Sequence, residues 1–296
     1  MSLKSSYHDL SQRYRSHQSA QHLQTADEIT AYVHARMPAT YAAIGACLEK
    51  LPVEFYPESL LDIGAGPGTA TVAALDRWPN LKGATLIENH PGMIAAGQRI
   101  FDERGSAGIH YENQNLATVS FKSPANISIL GYVLGELKDA ERLSVVKKVW
   151  DSTLGYCLIV TPGTPHDFDY LMKVRRYLIE LGGHAAAPCP HSNQCPLAGT
   201  TDWCHFSVRL QRDKLHRQTK QGHLGYEDEK FSYLIFSKQK TASCTTRVIK
   251  KPIQNPGHTI LDLCAVDGLR RVTVSKKDKI LYKGMRKTEW GDGFSI

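Results

Sequence analysis

The residues Leu60-Leu-Asp-Ile-Gly-Ala-Gly-Pro-Gly-Thr69 predict the fold of this 296-residue chain. A short, mostly apolar strand leads into three alternate glycines, and a helical pattern begins at Thr69. Glycines at a strand-to-helix turn let the backbone bend sharply and approach a ligand closely. The first amides of the following helix favour negative charge. The run therefore predicts a ligand-binding loop in an α/β fold.

The spacing of the glycines indicates which kind of ligand the loop holds. A dinucleotide site carries its glycines in the pattern G-x-G-x-x-G. Here an acidic residue precedes alternate glycines, Asp62-x-Gly64-x-Gly66-x-Gly68, and Pro67 stiffens the loop. This pattern resembles motif I of the Rossmann-like S-adenosylmethionine (SAM) methyltransferases, whose ligand has a carboxylate and an amine in place of a pyrophosphate.

Two further positions fit a SAM site. Glu88 ends the next predicted strand, twenty residues after Gly68, where a carboxylate can accept both ribose hydroxyls. Gln114 and Asn115 follow the third predicted strand, in a position to bracket an adenine. The alternative is a tight turn with an incidental surface glutamate, and the order of the pieces disfavours it. The predicted cofactor-binding residues are Asp62, Gly64, Gly66, Gly68, Glu88, Gln114 and Asn115.

Strands and helices alternate around the loop. The predicted strands lie at 59–63, 83–88, 109–112, 125–130 and 154–161, and the predicted helices at 69–78, 91–103, 139–152 and 166–183. Such alternation predicts a parallel, doubly wound sheet. The expected fold is α/β, a Rossmann-like SAM-methyltransferase sheet with an N-terminal helical segment, a cysteine-cluster insertion and a small basic C-terminal β-rich module.

The chain is expected to divide into four segments. Residues 1–58 form the helical segment, 59–183 the SAM-binding core, 184–246 the cysteine-cluster loop, basic helix and returning core strand, and 247–296 the basic β module. In the last two segments the predicted elements are a basic helix at 206–221 and strands at 231–236, 259–264, 271–275 and 280–282.

Composition disfavours membrane-spanning and disulfide-rich secreted classes. The apolar fraction is 42%, no run of eighteen apolar residues exists, and the first residues lack the apolar region of a secretory signal. Seven cysteines without an export signal predict reduced thiols.

Positive charge is concentrated in the last third of the chain. Residues 1–204 carry 17 Lys and Arg against 20 Asp and Glu, a net charge of −3, whereas residues 205–296 carry 19 against 9, a net charge of +10. A basic region of this kind indicates an anionic partner such as RNA, the alternative being a solvated basic face. The predicted RNA-binding residues are Arg209, Arg212, Lys214, Arg217, Lys220, Lys276, Lys277, Lys279, Lys283, Arg286 and Lys287.

Cys189, Cys195 and Cys204 lie within sixteen residues of irregular, proline-rich sequence. Clustered thiols on irregular backbone suggest a metal centre, because metal binding can order such a segment. The spacings are looser than those of structural zinc, and two Cys-Pro pairs favour a 4Fe–4S cluster over zinc. Unpaired thiols in a surface loop are the remaining alternative. The candidates for a fourth ligand are Cys264, Cys244, His191 and His205.

The sequence identifies no catalytic group. Amino-methylating nucleic-acid enzymes carry an Asn/Asp-Pro-Pro-aromatic run after the fourth strand, where this chain has Leu130-Gly-Tyr-Val-Leu-Gly-Glu-Leu137. Cys157, the candidate nucleophile of a cytosine C5 mechanism, lies in a predicted core strand. Glu136 is placed either to act as a base or to cap the next helix. The catalytic residue therefore stays unknown.

Longer strings resemble one protein family over most of the chain. They include Arg36-Met-Pro-Ala-Thr-Tyr41, Val133-Leu-Gly-Glu-Leu137, Pro188-Cys-Pro-His191, Asp202-Trp-Cys-His-Phe206 and Tyr226-Glu-Asp-Glu-Lys-Phe-Ser-Tyr233. On these strings the chain resembles the mitochondrial ribosomal small-subunit methyltransferase-like family, in its bacterial branch. The resemblance implies a SAM-type Rossmann fold, action on the small ribosomal subunit, and an iron–sulfur cluster on Cys189, Cys195, Cys204 and Cys264.

Two functions are consistent with these features. The first is an assembly or maturation factor that binds SAM and docks on small-subunit rRNA. The second is an active SAM-dependent rRNA methyltransferase. The missing catalytic motif favours the first. We expect a monomer without membrane association, in the cytoplasm if bacterial and in the mitochondrial matrix if eukaryotic.

Overall fold

The computed structural model describes residues 25–212, 224–241 and 244–294. Over these residues the chain forms two compact units. The first unit runs to Thr161 and resumes from Val208 to Glu229, whereas the second covers Pro162–Ser207 and continues from Lys230. The predicted segment boundaries after residues 58, 183 and 246 do not coincide with this division.

Helices and strands alternate in the first unit as the sequence predicts. Its elements are α1 (Ala26–Ala35), α2 (Met37–Leu48), β1 (Ser59–Ile63), α3 (Thr69–Arg77), β2 (Gly83–Glu88), α4 (Pro91–Arg104), β3 (Ile109–Asn113), β4 (Ala125–Gly131), α5 (Asp139–Asp151) and β5 (Thr153–Pro162). A short 3₁₀ turn, Leu134–Glu136, follows β4. The α/β prediction is confirmed.

The strands of the first unit form a parallel sheet. β1 pairs with β2 on one side and β4 on the other, β2 pairs with β3, and β4 with β5. The order is therefore β3-β2-β1-β4-β5. Leu60, Ile63, Ile127 and Ile129 in the central strands are fully buried, as expected when helices cover both faces. The carboxyl ends of β1, β2 and β4 share one edge, where such sheets bind ligands.

The second unit is rich in antiparallel strands. Its elements are α6 (Pro165–Glu180), β6 (His184–Ala187), β7 (Phe206–Gln211), β8 (Tyr226–Ser237), β9 (Thr246–Val248), β10 (Ile253–Asn255), β11 (His258–Ala265), β12 (Gly268–Ser275), α7 (Lys279–Met285) and β13 (Gly293–Phe294). The boundary between the units passes through β7 and β8. β11 pairs with β9, β10 and β12, and β6 pairs with β8.

An apolar cluster in the second unit explains why the unit boundary falls before α6. Phe168 on α6, Leu197 in the cysteine loop, Ile249 after β9 and Cys264 on β11 pack together. The loop and α6 are therefore part of the same core as the C-terminal strands.

Two predicted elements are wrong. Residues 206–211 of the predicted basic helix form strand β7, in which buried Phe206 and Leu210 share one face. Residues 213–221 of that predicted helix lie outside the described residues. The predicted strand 280–282 lies in helix α7, because the Asp278 side chain caps it by accepting the Leu281 amide. None of the described helices is long and apolar enough to cross a bilayer.

Candidate functional site

The glycine loop between β1 and α3 requires left-handed backbone at each glycine. φ is 64° at Gly64, 55° at Gly66 and 81° at Gly68, values that residues with a Cβ rarely adopt. A Cβ on Gly64 would lie 2.3 Å from Val133 Cγ2, and one on Gly68 would lie 2.5 Å from Phe101 Cζ. These two glycines are therefore needed for packing.

Gly66 differs from its two neighbours. A Cβ there would meet only the Tyr32 hydroxyl, at 3.9 Å. Its α-carbon therefore faces open space at the carboxyl end of β1, where a ligand can come close to the backbone.

Glu88 is held beside the loop by backbone amides. Its Oε2 accepts the Gly66 amide at 2.8 Å, and its Oε1 accepts the amides of Asn89 and His90 at 2.9 and 2.8 Å. A carboxylate has about four acceptor positions. Glu88 can therefore keep these bonds and still accept one hydroxyl donor, whereas the predicted ribose contact involves two hydroxyls.

Asp62 supports the loop from inside the unit. The side chain is buried, and its Oδ2 accepts both the Thr71 amide at 3.1 Å and the Thr71 hydroxyl at 2.8 Å. Gly68, at the N-cap of α3, has no side chain to cap the helix, so Asp62 supplies the acceptor instead. Burial raises the pKa of the Asp62 carboxyl to about 7, although the bonds from Thr71 lower it. The residue positions the loop through α3.

Tyr111, on β3, is a site residue that the sequence motifs do not mark. Its hydroxyl donates to the Gly66 carbonyl at 3.1 Å. Gly97 on α4 makes room for it, since a Cβ there would lie 1.8 Å from that hydroxyl. Helix α1 adds a cover over the start of α4, where a Cβ on Gly92 would lie 2.3 Å from Ile29 Cδ1.

The two predicted adenine contacts are engaged in their own loop. Gln114 donates to Glu112 at 2.5 Å and accepts the Ser120 amide at 3.3 Å. Asn115 is exposed, and its Oδ1 accepts the Ala117 amide at 2.9 Å. Both follow β3, as predicted, but their contact with an adenine stays a prediction.

A polar cluster occupies the position after β4 where amino-methylating nucleic-acid enzymes carry an Asn/Asp-Pro-Pro-aromatic run. Tyr132 has a φ of 62°, the one left-handed non-glycine in the described part of the chain. Its hydroxyl donates to Glu229 Oε1 at 3.0 Å, and Arg36 pairs with the same oxygen at 3.1 Å. The Arg36 guanidinium also lies over the Tyr132 ring, 4.7 Å from its centroid. The sequence gives no signal for this cluster, because its members are far apart along the chain.

The four predicted metal ligands come together in the second unit. Cys189, Cys195, Cys204 and Cys264 line one cavity, with apolar neighbours that include Phe168. Cys244 and His205, two of the other candidates, do not line it. His191 Nε2 lies 3.8 Å from Cys264 Sγ. All seven cysteines are free thiols, and Cys157 is buried as expected for a core residue.

Burial favours the protonated form of three of the cavity thiols, Cys195, Cys204 and Cys264. Burial, with the neighbouring thiols, raises the pKa of Cys264 to about 12 and that of Cys204 well above its usual value. Burial also raises the pKa of Cys195. Thiolates bind metals, so a metal would have to displace these protons. Among the described residues no group of three or more His, Cys, Asp or Glu could hold a metal ion.

The predicted RNA-binding residues fall into two groups. Arg209 makes two hydrogen bonds to Asp228 at 2.7 and 2.8 Å, and Arg212 pairs with Glu227 at 2.7 Å. Their charges are therefore largely compensated. The exposed group, on the β12–α7 side of the second unit, makes no ion pair within the described ranges and comprises Lys276, Lys277, Lys279, Lys283, Arg286 and Lys287. Lys214, Arg217 and Lys220 lie outside the described residues.

Comparison with known proteins identifies one family. A family model described as "Mitochondrial small ribosomal subunit Rsm22" matches residues 26–295. "Rsm22-cox11 tandem protein 2, mitochondrial" of Schizosaccharomyces pombe is 24% identical over 328 residues. The human "Ribosome assembly protein METTL17, mitochondrial" is 25% identical over 284 residues.

These alignments cover 92% and 88% of this chain but only 44% and 61% of the relatives. The chain therefore spans about half the length of the curated relatives it matches. Among solved structures, an O-methyltransferase family protein from Burkholderia thailandensis has a similar fold. Its TM-score is 0.52 at 14% identity, with 80% of this chain and 69% of that chain covered.

Asp62 makes stability depend on pH. Its folded pKa of about 7 is above the value near 3.9 expected in an unfolded chain. Between these values the folded state keeps a proton that the unfolded state has lost, so the free energy of unfolding decreases as pH rises from about 4 to 7. We expect Asp62→Asn to remove on the order of 1–3 kcal/mol of that decrease. Urea denaturation of both proteins at several pH values measures the free energy of unfolding and its pH dependence.

Asp102→Asn, at an exposed carboxylate of the same unit, is the matched control and should leave the pH dependence unchanged. An Asp62→Asn variant with the same pH dependence as the wild type would contradict the assignment.

Proposed function

The chain belongs to the Rsm22 family, and on this basis we propose that it binds SAM and acts in the assembly or maturation of the small ribosomal subunit. The proposal includes a metal centre on four cysteines, a 4Fe–4S cluster in preference to zinc. Each part is supported by a different region of the chain.

The glycine loop supports SAM binding. Gly66 faces open space, and Glu88 is fixed beside it with acceptor capacity left for a ribose hydroxyl. The loop also leads into the amino-terminal end of α3, which favours a carboxylate such as that of the methionine moiety. The cofactor residues that we propose remain Asp62, Gly64, Gly66, Gly68, Glu88, Gln114 and Asn115, with Asp62 acting through α3.

The cluster after β4 supports a role in assembly more than in methyl transfer. Tyr132 is hydrogen-bonded to Glu229, which also pairs with Arg36. Burial and the neighbouring Glu229 carboxylate raise the pKa of the Tyr132 phenol well above its usual value, so that Tyr132 stays protonated and cannot act as a general base. The curated relative METTL17 is named as a ribosome assembly protein, in agreement with this role.

An active rRNA methyltransferase is the alternative function. The complete glycine loop and Glu88 favour it, since a pure scaffold does not require a cofactor site. Transfer of a labelled methyl group from SAM to immature small subunits would establish the alternative.

The exposed cations of the second unit are the proposed rRNA contacts. Lys276, Lys277, Lys279 and Lys283 are exposed and close in sequence around the turn from β12 to α7. Charges of this kind contact phosphates and give affinity that falls steeply with salt. Arg209 and Arg212 contribute less because acidic side chains already neutralise them.

The cysteine cavity fits a thiolate-bound metal centre. Four sulfur donors line it, and Arg175 Nε donates a hydrogen bond to Cys189 Sγ at 3.3 Å, which suits a sulfur that carries negative charge. When bound, an iron–sulfur cluster would hold the cysteine loop and β11 together. Its role in either function is structural.

The preference for a cluster over zinc rests on the sequence, where the cysteine spacings are looser than those of structural zinc and two Cys-Pro pairs occur.

The proposed partner is small-subunit rRNA, with the protein acting as a monomer. The relatives are named as mitochondrial proteins. We therefore place the chain in the mitochondrial matrix if it is eukaryotic, and in the cytoplasm if it is bacterial.

Gly66→Ala tests the cofactor site. Gly105 has a similar φ of 62° and open space around it, so alanine at either position costs about 1–2 kcal/mol of backbone strain. Only Gly66→Ala places a methyl group where SAM would lie. Titration calorimetry should show that the wild type and Gly105→Ala bind SAM equally, and that Gly66→Ala binds at least tenfold more weakly. If the wild type does not bind SAM, the proposed cofactor site is disproved.

Salt-dependent binding to purified small ribosomal subunits tests the RNA surface. Changing Lys276, Lys277, Lys279 and Lys283 to Gln should lower the slope of log K against log salt by about three, because each lost phosphate contact removes roughly 0.7–0.9. Arg209→Gln is the control and should leave the slope nearly unchanged. An affinity that does not vary with salt in the wild type would disprove the proposed interface.

Metal analysis after anaerobic purification tests the cysteine centre. We expect about four irons and four sulfides per chain, lost in Cys264→Ser and kept in Cys244→Ser. One zinc per chain, without iron, would show that the centre binds zinc and not an iron–sulfur cluster. Loss of metal in Cys244→Ser, with retention in Cys264→Ser, would show that the fourth ligand is wrong.

A further inference from the structure

Two arginines are buried beside the cysteine cavity without an acidic partner. Arg175 on α6 is 3% exposed and Arg247 on β9 is 7% exposed. No carboxylate of the described residues lies within ion-pair distance of either guanidinium. Buried charges in proteins are normally paired or bind metal centres, because an isolated buried charge is very costly. The pair therefore has no anionic partner among the described side chains.

Both guanidiniums are directed at the cysteine loop. Arg175 Nε donates to Cys189 Sγ at 3.3 Å, and its Nη2 donates to the His191 carbonyl at 2.7 Å. Arg247 Nε donates to the Pro188 carbonyl at 2.8 Å. The two arginines thus bind the same four-residue segment, 188–191.

Arg247 is also next to the fourth cysteine. It is the register partner of Cys264 in the antiparallel pair of β9 and β11. Side chains of directly opposed residues point to the same face, with Cβ atoms about 4.5–5.5 Å apart. One arginine therefore adjoins Cys189 and the other adjoins Cys264.

Backbone carbonyls do not explain the two charges. The Pro188, His191 and Gly291 carbonyls accept hydrogen bonds from the guanidiniums. They satisfy donors but carry no net negative charge, so a neutral amide side chain would serve a purely loop-binding role at lower desolvation cost.

A metal–thiolate centre supplies the missing charge. Four thiolates around either a 4Fe–4S core of charge 2+ or a Zn²⁺ ion leave a formal charge of about 2−. Two buried guanidiniums of charge 1+ each match that value. The agreement holds for both metals.

We propose that Arg175 and Arg247 are the counter-ions of the metal–thiolate centre on Cys189, Cys195, Cys204 and Cys264. The inference rests on the proposed metal centre. Their role is to stabilise the loaded centre by neutralising it, and to raise its reduction potential if it contains iron, because nearby positive charge favours the added electron.

Metal retention in charge-changing variants tests the proposal. The full-length chain is purified anaerobically as wild type and as Arg175→Gln, Arg247→Gln, Arg175→Lys and Arg247→Lys, and metal release to a chelator is followed. Arg270→Gln is the control, since Arg270 is exposed and pairs with Asp267 in the same unit. We expect both Gln variants to release metal at least tenfold faster than the wild type, with the Lys variants and the control close to the wild type.

The Lys variants separate charge from structure. Lysine keeps the charge but loses the forked hydrogen bonds, so a loop-binding role would make the Lys and Gln variants equally defective. That result, or Gln variants that retain metal like the wild type, would overturn the proposal. If the centre contains iron, redox titration should also show a more negative midpoint in the Gln variants, by about 59 mV for a tenfold effect on a one-electron couple.

A wild-type chain without iron or zinc is a different failure. It would disprove the metal centre itself, and the counter-ion role with it, before any variant is compared.

Discussion

The hydrogen bond from the Gly66 amide to the Glu88 carboxylate sets the geometry of the proposed cofactor site. It joins the turn after β1 to the end of β2, and it forms only because the loop adopts left-handed φ values that glycine tolerates. Asp62 fixes the start of α3 below the loop, and Tyr111 holds the Gly66 carbonyl from β3. Each support comes from a different strand of the parallel sheet, so the site depends on the sheet as a whole.

In the second unit, the feature on which the proposed metal site depends is charge compensation. The cysteine loop contains prolines and has little regular structure, and it is held by buried arginines and by packing on α6 and β11. Burial favours the protonated form of Cys195, Cys204 and Cys264. Metal binding would exchange those protons for a charge that the arginines balance, and it would thereby link folding of this unit to metal supply. Such coupling fits a factor whose role is structural.

The position after β4 separates this chain from enzymes with a marked catalytic motif. A strained Tyr132 is held there by Glu229 and Arg36, which come from β8 and from the junction of α1 and α2. Strained backbone often accompanies function, although here the strain holds a side chain in an ion-paired cluster. The fold is that of a methyltransferase, and this cluster agrees with the proposed role as a cofactor-binding assembly factor.

The sequence by itself determined the alternation of strands and helices, the glycine loop, Glu88 and the four cysteines, because these depend on local periodicity and on residue types that few other sites use together. It failed where partners are distant: Phe206–Gln211 pairs with β8 instead of forming a helix. Only the tertiary structure decided that Arg209 is neutralised by Asp228, and that Arg175 and Arg247 are buried at the thiols. Charge counts along a chain cannot show which charges are compensated, because compensation depends on distance in space.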